Sequence, residues 1–174
     1  MPRAVVWALL VFSGCFLSGC GIGKLFSPSD YEVTVESPTR GDVTSVYVVV
    51  GNEPDLATKS QEEIADLVNP KKLAKYHVYT QFNPRADGQG LERVGTPKEH
   101  PQIQIEESTD GPNSILSVEI DEDFLVIWTQ AAVVVPVQYS DGHWNAHLIP
   151  AAVMQQRGAG IVVVGPTGIV FKAD

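Results

Sequence analysis

The chain has 174 residues, a formal net charge of −9 and a pI near 4.8. That acidity argues against a nucleic-acid binder, which needs a basic footprint, and against electrostatic attachment to anionic lipid. Cysteine occurs only at Cys15 and Cys20, so the chain beyond residue 20 can form no internal disulfide and offers no thiol nucleophile.

In chain order, the first element is an apolar leader. Arg3 supplies a positive start, Ala4 to Phe12 is nearly unbroken Ala, Val, Trp, Leu and Phe, and small residues follow at Ser18 and Gly19. This is the order of a secretory signal, and the apolar run is shorter than the roughly 20 residues a spanning helix needs. Leu17-Ser18-Gly19-Cys20 resembles the lipobox of bacterial lipoproteins. The resemblance implies cleavage between Gly19 and Cys20, acylation of Cys20 and attachment to a membrane through its acyl chains. In that family a residue other than Asp after the cysteine, here Gly21, implies transport to the outer membrane. The alternative is an ordinary secretory signal with an incidental cysteine. Phe12-Ser13-Gly14-Cys15 mimics the motif, but a cut there would leave Phe16 and Leu17 on the product. Removing residues 1–19 leaves 155 residues, one domain by size, and the loss of Arg3 takes the charge from −9 to −10.

Residues 20–30 read as a lipidated tether rich in Gly and Ser. Residues 31–174 are expected to form a β-sandwich of about eight or nine short strands with a small helical insertion. Tyr31, Val33 and Val35 alternate with Glu32, Thr34 and Glu36, the period of a half-buried strand. Ser37 to Asp42 is a loop, and Val43 to Val50 a second strand dense in β-branched residues. Ser60-Gln61-Glu62-Glu63 fits a capping box, and Ile64, Leu67 and Val68 then share one helical face. Asn69-Pro70 is a second helix start. These short helices over residues 60–75 are expected to be a crossover between strands. Tyr76 to Phe82 predicts a strand. Asn83 to Pro101, with three prolines and three glycines, reads as a long loop, of the kind that is functional or mobile in a compact domain. Ile103 and Ile105 alternate in a short strand, Thr109 to Asn113 is a turn, and Ile115 to Ile120 is another strand. Phe124 to Tyr139 is the most apolar stretch, with Ala131 to Val135 lying between two sheets or crossing a bend at Pro136. Ser140-Asp141-Gly142 is a hairpin turn, after which Trp144, Ala146 and Leu148 alternate with His143, Asn145 and His147. Gly160 to Val164 and Ile169 to Lys172 close the domain around Gly165-Pro166-Thr167-Gly168. Turn signals at this spacing argue an all-β sandwich.

Candidate chemistry is sparse. His143 and His147 have ligand-like spacing, but on a strand they lie roughly 13 Å apart on one face, too far for one metal ion that also wants a third ligand. A solvated sheet face is the plainer reading. Glu106-Glu107 and Asp121-Glu122-Asp123 lack the spacing of a calcium loop and read as solvated stretches. Trp128 and Trp144 read as core or sheet-face residues, with an aromatic platform for sugar as the alternative. The chain has no G-x-S-x-G, G-x-G-x-x-G or P-loop motif. No catalytic residue, cofactor or metal is therefore expected.

The order of elements is similar to that of the outer-membrane lipoproteins of type VI secretion systems. The residues carrying the similarity are Val46-Tyr47-Val48, the helical insertion at 60–75, the apolar run Phe124 to Tyr139, the Trp144 strand and the closing pair. The Asn83 to Pro101 stretch has no counterpart in that pattern. The resemblance implies a non-enzymatic protein at the outer membrane, facing the periplasm, that binds the periplasmic part of an inner-membrane protein through the loop between its first strands. The matching loop is Ser37 to Asp42, where Thr39, Arg40 and Asp42 would make the contacts; a plain connecting loop is the alternative. Two other functions stay open. One is a solute- or glycan-binding lipoprotein that uses the Asn83 to Pro101 stretch, and the other an extracytoplasmic hydrolase.

Overall fold

The computed structural model describes residues 29–35, 42–52, 56–121, 132–150, 160–165 and 168–173. The leader, Gly19, Cys20, the tether as far as residue 28, Thr39, Arg40 and Trp128 lie outside them. The described residues form ten strands and two short helices: β1 (Ser29–Val35), β2 (Val43–Gly51), α1 (Gln61–Leu67), α2 (Pro70–Leu73), β3 (Val78–Pro84), β4 (Leu91–Lys98), β5 (Ile103–Asp110), β6 (Asn113–Ile120), β7 (Ala132–Tyr139), β8 (Trp144–Pro150), β9 (Gly160–Gly165) and β10 (Gly168–Ala173). They build two five-stranded sheets, ordered β10-β9-β1-β6-β5 and β4-β3-β2-β7-β8. Every pairing is antiparallel except β1 with β9.

The alternation of apolar residues explains the packing. Leu116, Val118 and Ile120 of β6 face Val46, Val48 and Val50 of β2, Phe82 of β3 and Val133, Val135 and Val137 of β7 in one buried core between the sheets. A register shift between Val43 and Ser45 changes the parity of β2, so that Val43 joins the same core as Val46. The outer face of the second sheet is also covered. Val49 and Val134 pack there against Leu67, Leu73 and Tyr76, with Tyr47 and Leu148 at the margin. This double burial accounts for the near-continuous valine of β7, which has sheet on one side and helix on the other.

The helices start where the sequence signals lie. Ser60 accepts from the Glu63 N–H at 3.3 Å, while the Glu63 carboxylate accepts from the Ser60 N–H at 2.8 Å, completing the capping box. Asn69 caps α2, with Pro70 in its first turn. The helices do not carry the chain across to a parallel strand. They join β2 to β3, which are antiparallel neighbours.

Several boundaries differ from the sequence reading. β1 begins at Ser29, not Tyr31, and β3 begins at Val78, leaving Tyr76 buried ahead of the strand. β5 extends to Asp110, and its turn to β6 shrinks to Gly111-Pro112, with Gly111 at φ 56°. The largest correction concerns Asn83 to Pro101. It is a hairpin, not a long loop: Pro84 pairs with Leu91, and β4 runs through Gly95 and Pro97 to Lys98. β4 tolerates those residues because it is an edge strand, where a missing N–H and a local irregularity cost little. Pro136 likewise interrupts nothing. β7 passes straight through it as an interior strand, with Pro136 opposite Ala146.

The candidate functional site

Odd-numbered strands all run one way along the sandwich and even-numbered strands the other. Val35 stands beside Ser114 and Val164, Pro84 beside Leu91, and Gln138 beside Trp144. The β3–β4, β5–β6 and β7–β8 connections, the ends of β1 and β9 and the starts of β2 and β10 therefore gather at one end, while Ser29 and Ala173 lie at the other. β1 alone carries the chain across roughly 20 Å of that distance at strand rise.

Asp42 sits at the gathered end, exposed, with its carbonyl accepting from the Ser140 N–H at 2.9 Å. Thus Asp42, the one described residue of the Ser37 to Asp42 segment expected to carry partner contacts, is flanked by the β7–β8 turn. In that turn Asp141 accepts from the His143 N–H at 3.0 Å and meets its Nδ1 at 2.5 Å. The His143 hydrogen bonds, backbone first, hold the Asp141 carboxyl below the usual carboxylate range. The His143 ring stacks on Tyr139 at 4.3 Å between centroids. The Tyr139 hydroxyl is buried without a hydrogen-bond partner, and burial pushes it up to about 12.

His143 and His147 do not share a solvated face. His143 precedes the strand and belongs to the turn, whereas His147 pairs with the core residue Val135 and so points to the inner face. Burial lowers its pKa below the ordinary histidine value. The residues alternating with it, Trp144 and Leu148, take the outer face beside Tyr47 and the helices. Trp144 also donates its N–H to Gln61 of α1 at 2.5 Å. No group of three or more His, Cys, Asp or Glu among the described residues could hold a metal ion. No helix among them is long and apolar enough to cross a membrane.

The same end carries a cleft of about 540 Å³ between the tips of two hairpins from opposite sheets. The β3–β4 tip contributes Arg85 and Gln89, and the β5–β6 hairpin contributes Glu107, Ser108, Thr109 and Asn113. Arg85 Nε donates to the Leu91 carbonyl at 2.6 Å, and its Nη2 stands 3.6 Å from Glu107 Oε1. Glu106 and Glu107 are not a working pair, because successive strand residues point to opposite faces. Gly90 lets the two hairpins meet. It is buried at φ +89°, and a Cβ there would lie 3.1 Å from Ser114 Oγ. The Ser114 hydroxyl is fully buried and has no hydrogen-bond partner.

The sequence reading did not single out Arg85, Gln89 or Asn113. Their signal was present in the Asp87-Gly88 and Gly111-Pro112 turn pairs, which put polar residues on two tips. Only the register between sheets brings those tips together. No protein-family model matches this chain, and neither a curated protein nor a solved structure matches it.

Proposed function

We propose that this chain is a lipid-anchored, non-enzymatic protein of the cell envelope that binds a protein partner with the end of its sandwich opposite the anchor. The lipobox resemblance at Leu17 to Cys20 supports the anchor. The observation that carries the binding role is the polarity of the fold: residue 29 is at one end, and Asp42 with the β3–β4, β5–β6 and β7–β8 connections is at the other. Acylated at Cys20, the domain would turn that second end away from the membrane surface. The resemblance to type VI secretion lipoproteins supports an outer-membrane location facing the periplasm and a docking role for Thr39, Arg40 and Asp42.

Two variants test this reading. Cys20→Ser should release the protein from membranes or leave it unprocessed. Replacing Thr39, Arg40 and Asp42 together with alanine should abolish partner capture from the native envelope while leaving the melting temperature within the small range of exposed changes. Full capture by the folded triple variant would reject the docking site.

The polar cleft favours a second reading, a lipoprotein that binds a solute or glycan. In that case the triple variant leaves function intact, and substitutions at Arg85 or Glu107 remove it.

A further inference from the structure

The cleft between the two hairpin tips carries an inference that rests on the second reading. We infer that it takes an uncharged polyhydroxyl ligand, a mono- or disaccharide, held edge-on by the Arg85–Glu107 pair. Three observations lead there.

The first is composition and size. Ligand clefts of 300–1,000 Å³ are ordinarily lined by apolar and aromatic side chains. This one, at about 540 Å³, is lined by Arg85, Gln89, Glu107, Ser108, Thr109 and Asn113 around three glycines and Pro112. Such a lining is mostly polar, and a hydroxyl-rich ligand finds both donors and acceptors in it.

The second is the charge arrangement. Arg85 Nη2 and Glu107 Oε1 are 3.6 Å apart, close enough to neutralise each other and too far for a good hydrogen bond. A guanidinium has five N–H donors and a carboxylate about four acceptor positions. Arg85 uses Nε on Leu91. An anion entering this site meets Glu107, and a cation meets Arg85. A zwitterion has to split the pair. Adjacent hydroxyls of a sugar leave it whole, because each accepts from the guanidinium or donates to the carboxylate.

The third is the floor. Gly90 is buried with no side chain, and a Cβ there would lie 3.1 Å from Ser114 Oγ and 3.4 Å from Thr109 Cγ2, so the two hairpins close on each other beneath the cleft and hold its shape without a ligand.

The test is a titration of the full ¹⁵N-labelled chain in detergent micelles, followed by amide shifts. The probes are glucose and N-acetylglucosamine, with glycine and inorganic phosphate as charged counterparts. The sugars should shift Gly88, Gln89, Gly90 and Asn113, and glycine and phosphate should not. Glu107→Gln should weaken sugar binding about tenfold, the effect of losing one charge-assisted hydrogen bond, while its spectrum elsewhere stays that of the folded protein. Cleft shifts with glycine or phosphate but not with sugars would overturn the ligand class and leave a solute-binding role standing. Shifts with none of the four would overturn the inference and the solute- or glycan-binding reading together, without touching the protein-partner reading. Sugar shifts undiminished in folded Glu107→Gln would show that the pair does not hold the ligand, and would overturn the inference.

Discussion

Gly51 and Tyr76 form the contact where the helical cover meets the second sheet. Gly51 ends β2, is buried and pairs with Ala132. An alanine Cβ built there would lie 2.3 Å from Tyr76 Cδ1 and 3.2 Å from Cγ and Cε1. The ring cannot easily withdraw, because Tyr76 is 2% exposed and sits in a cluster with Val49, Leu67, Leu73 and Val134. Gly51→Ala alone would gain about 0.4–1 kcal/mol by restricting the unfolded chain, but overpacking of this kind costs about 1–3 kcal/mol. The net expectation is a loss of about 1–2 kcal/mol, a fall in Tm of roughly 2–8 °C for a domain of this size. Tyr76→Ala alone should cost about 3–5 kcal/mol, as large-to-small aromatic substitutions do. In the double variant the new methyl enters the space the ring has left. The two costs should therefore fall short of additivity by about 1–3 kcal/mol. Thermal unfolding of the four proteins, followed by far-UV circular dichroism, measures the cycle. A neutral Gly51→Ala, or costs that add to within about 0.5 kcal/mol, would refute this packing.

Four further outcomes follow from single residues. Ser114→Ala removes a buried hydroxyl that has no partner and should stabilise by about 1 kcal/mol, since an unsatisfied buried group costs about 1–3 kcal/mol; a lower Tm would mean the hydroxyl is bonded in solution. Burial holds the Tyr139 phenol protonated up to about 12, whereas the unfolded phenol ionises near 10, so stability should be full below pH 10 and decline between pH 10 and 12. Tyr139→Phe should flatten that decline, and an unchanged alkaline limb in urea titrations would contradict the burial. Ser60→Ala should cost about 1 kcal/mol through the lost N-cap. The Glu63 carboxyl is held below its ordinary pKa first by the Ser60 N–H and then by the Ser60 hydroxyl. The stability this lends is present at neutral pH and lost as pH falls through the lowered value, so Glu63→Gln should lose less than the parent between pH 5 and 3.

Sheet and helix elements were legible where period and cap coincided. Ser60 and Glu63 fixed the start of α1, and the alternation of Leu116, Val118 and Ile120 marked β6 and its buried face. Composition misled where an edge strand tolerates what an interior strand does not: Gly95 and Pro97 read as loop yet lie within β4. Pro136 misled in the same sense, since β7 runs on through it as an interior strand buried on both faces. The inner and outer faces of β8 were not legible, because Trp144 and Leu148 face a helical layer whose position local period does not encode.

The candidate sites depend on that missing information. Arg85 and Glu107 are 22 positions apart in separate hairpins of separate sheets, and nothing local in either hairpin announces the other. What joins them is the chain's strict alternation of direction, which sends the β3–β4 and β5–β6 tips to one end. The short β4–β5 connection, residues 99–102, carries the chain between the sheets at the opposite end. Beside it Arg93 Nη2 donates to the Ile105 carbonyl at 2.7 Å, clasping β4 to β5 along that side. The clasp bears on both binding readings. It fixes the two tips relative to each other without contributing a residue to the cleft. Loosening it with Arg93→Ala should therefore weaken any ligand of the cleft while leaving docking at Asp42, just ahead of the central strand of the second sheet, unaffected. If capture of a protein partner and binding at the cleft fell together in that variant, the cleft and Asp42 would have to act as one surface rather than two.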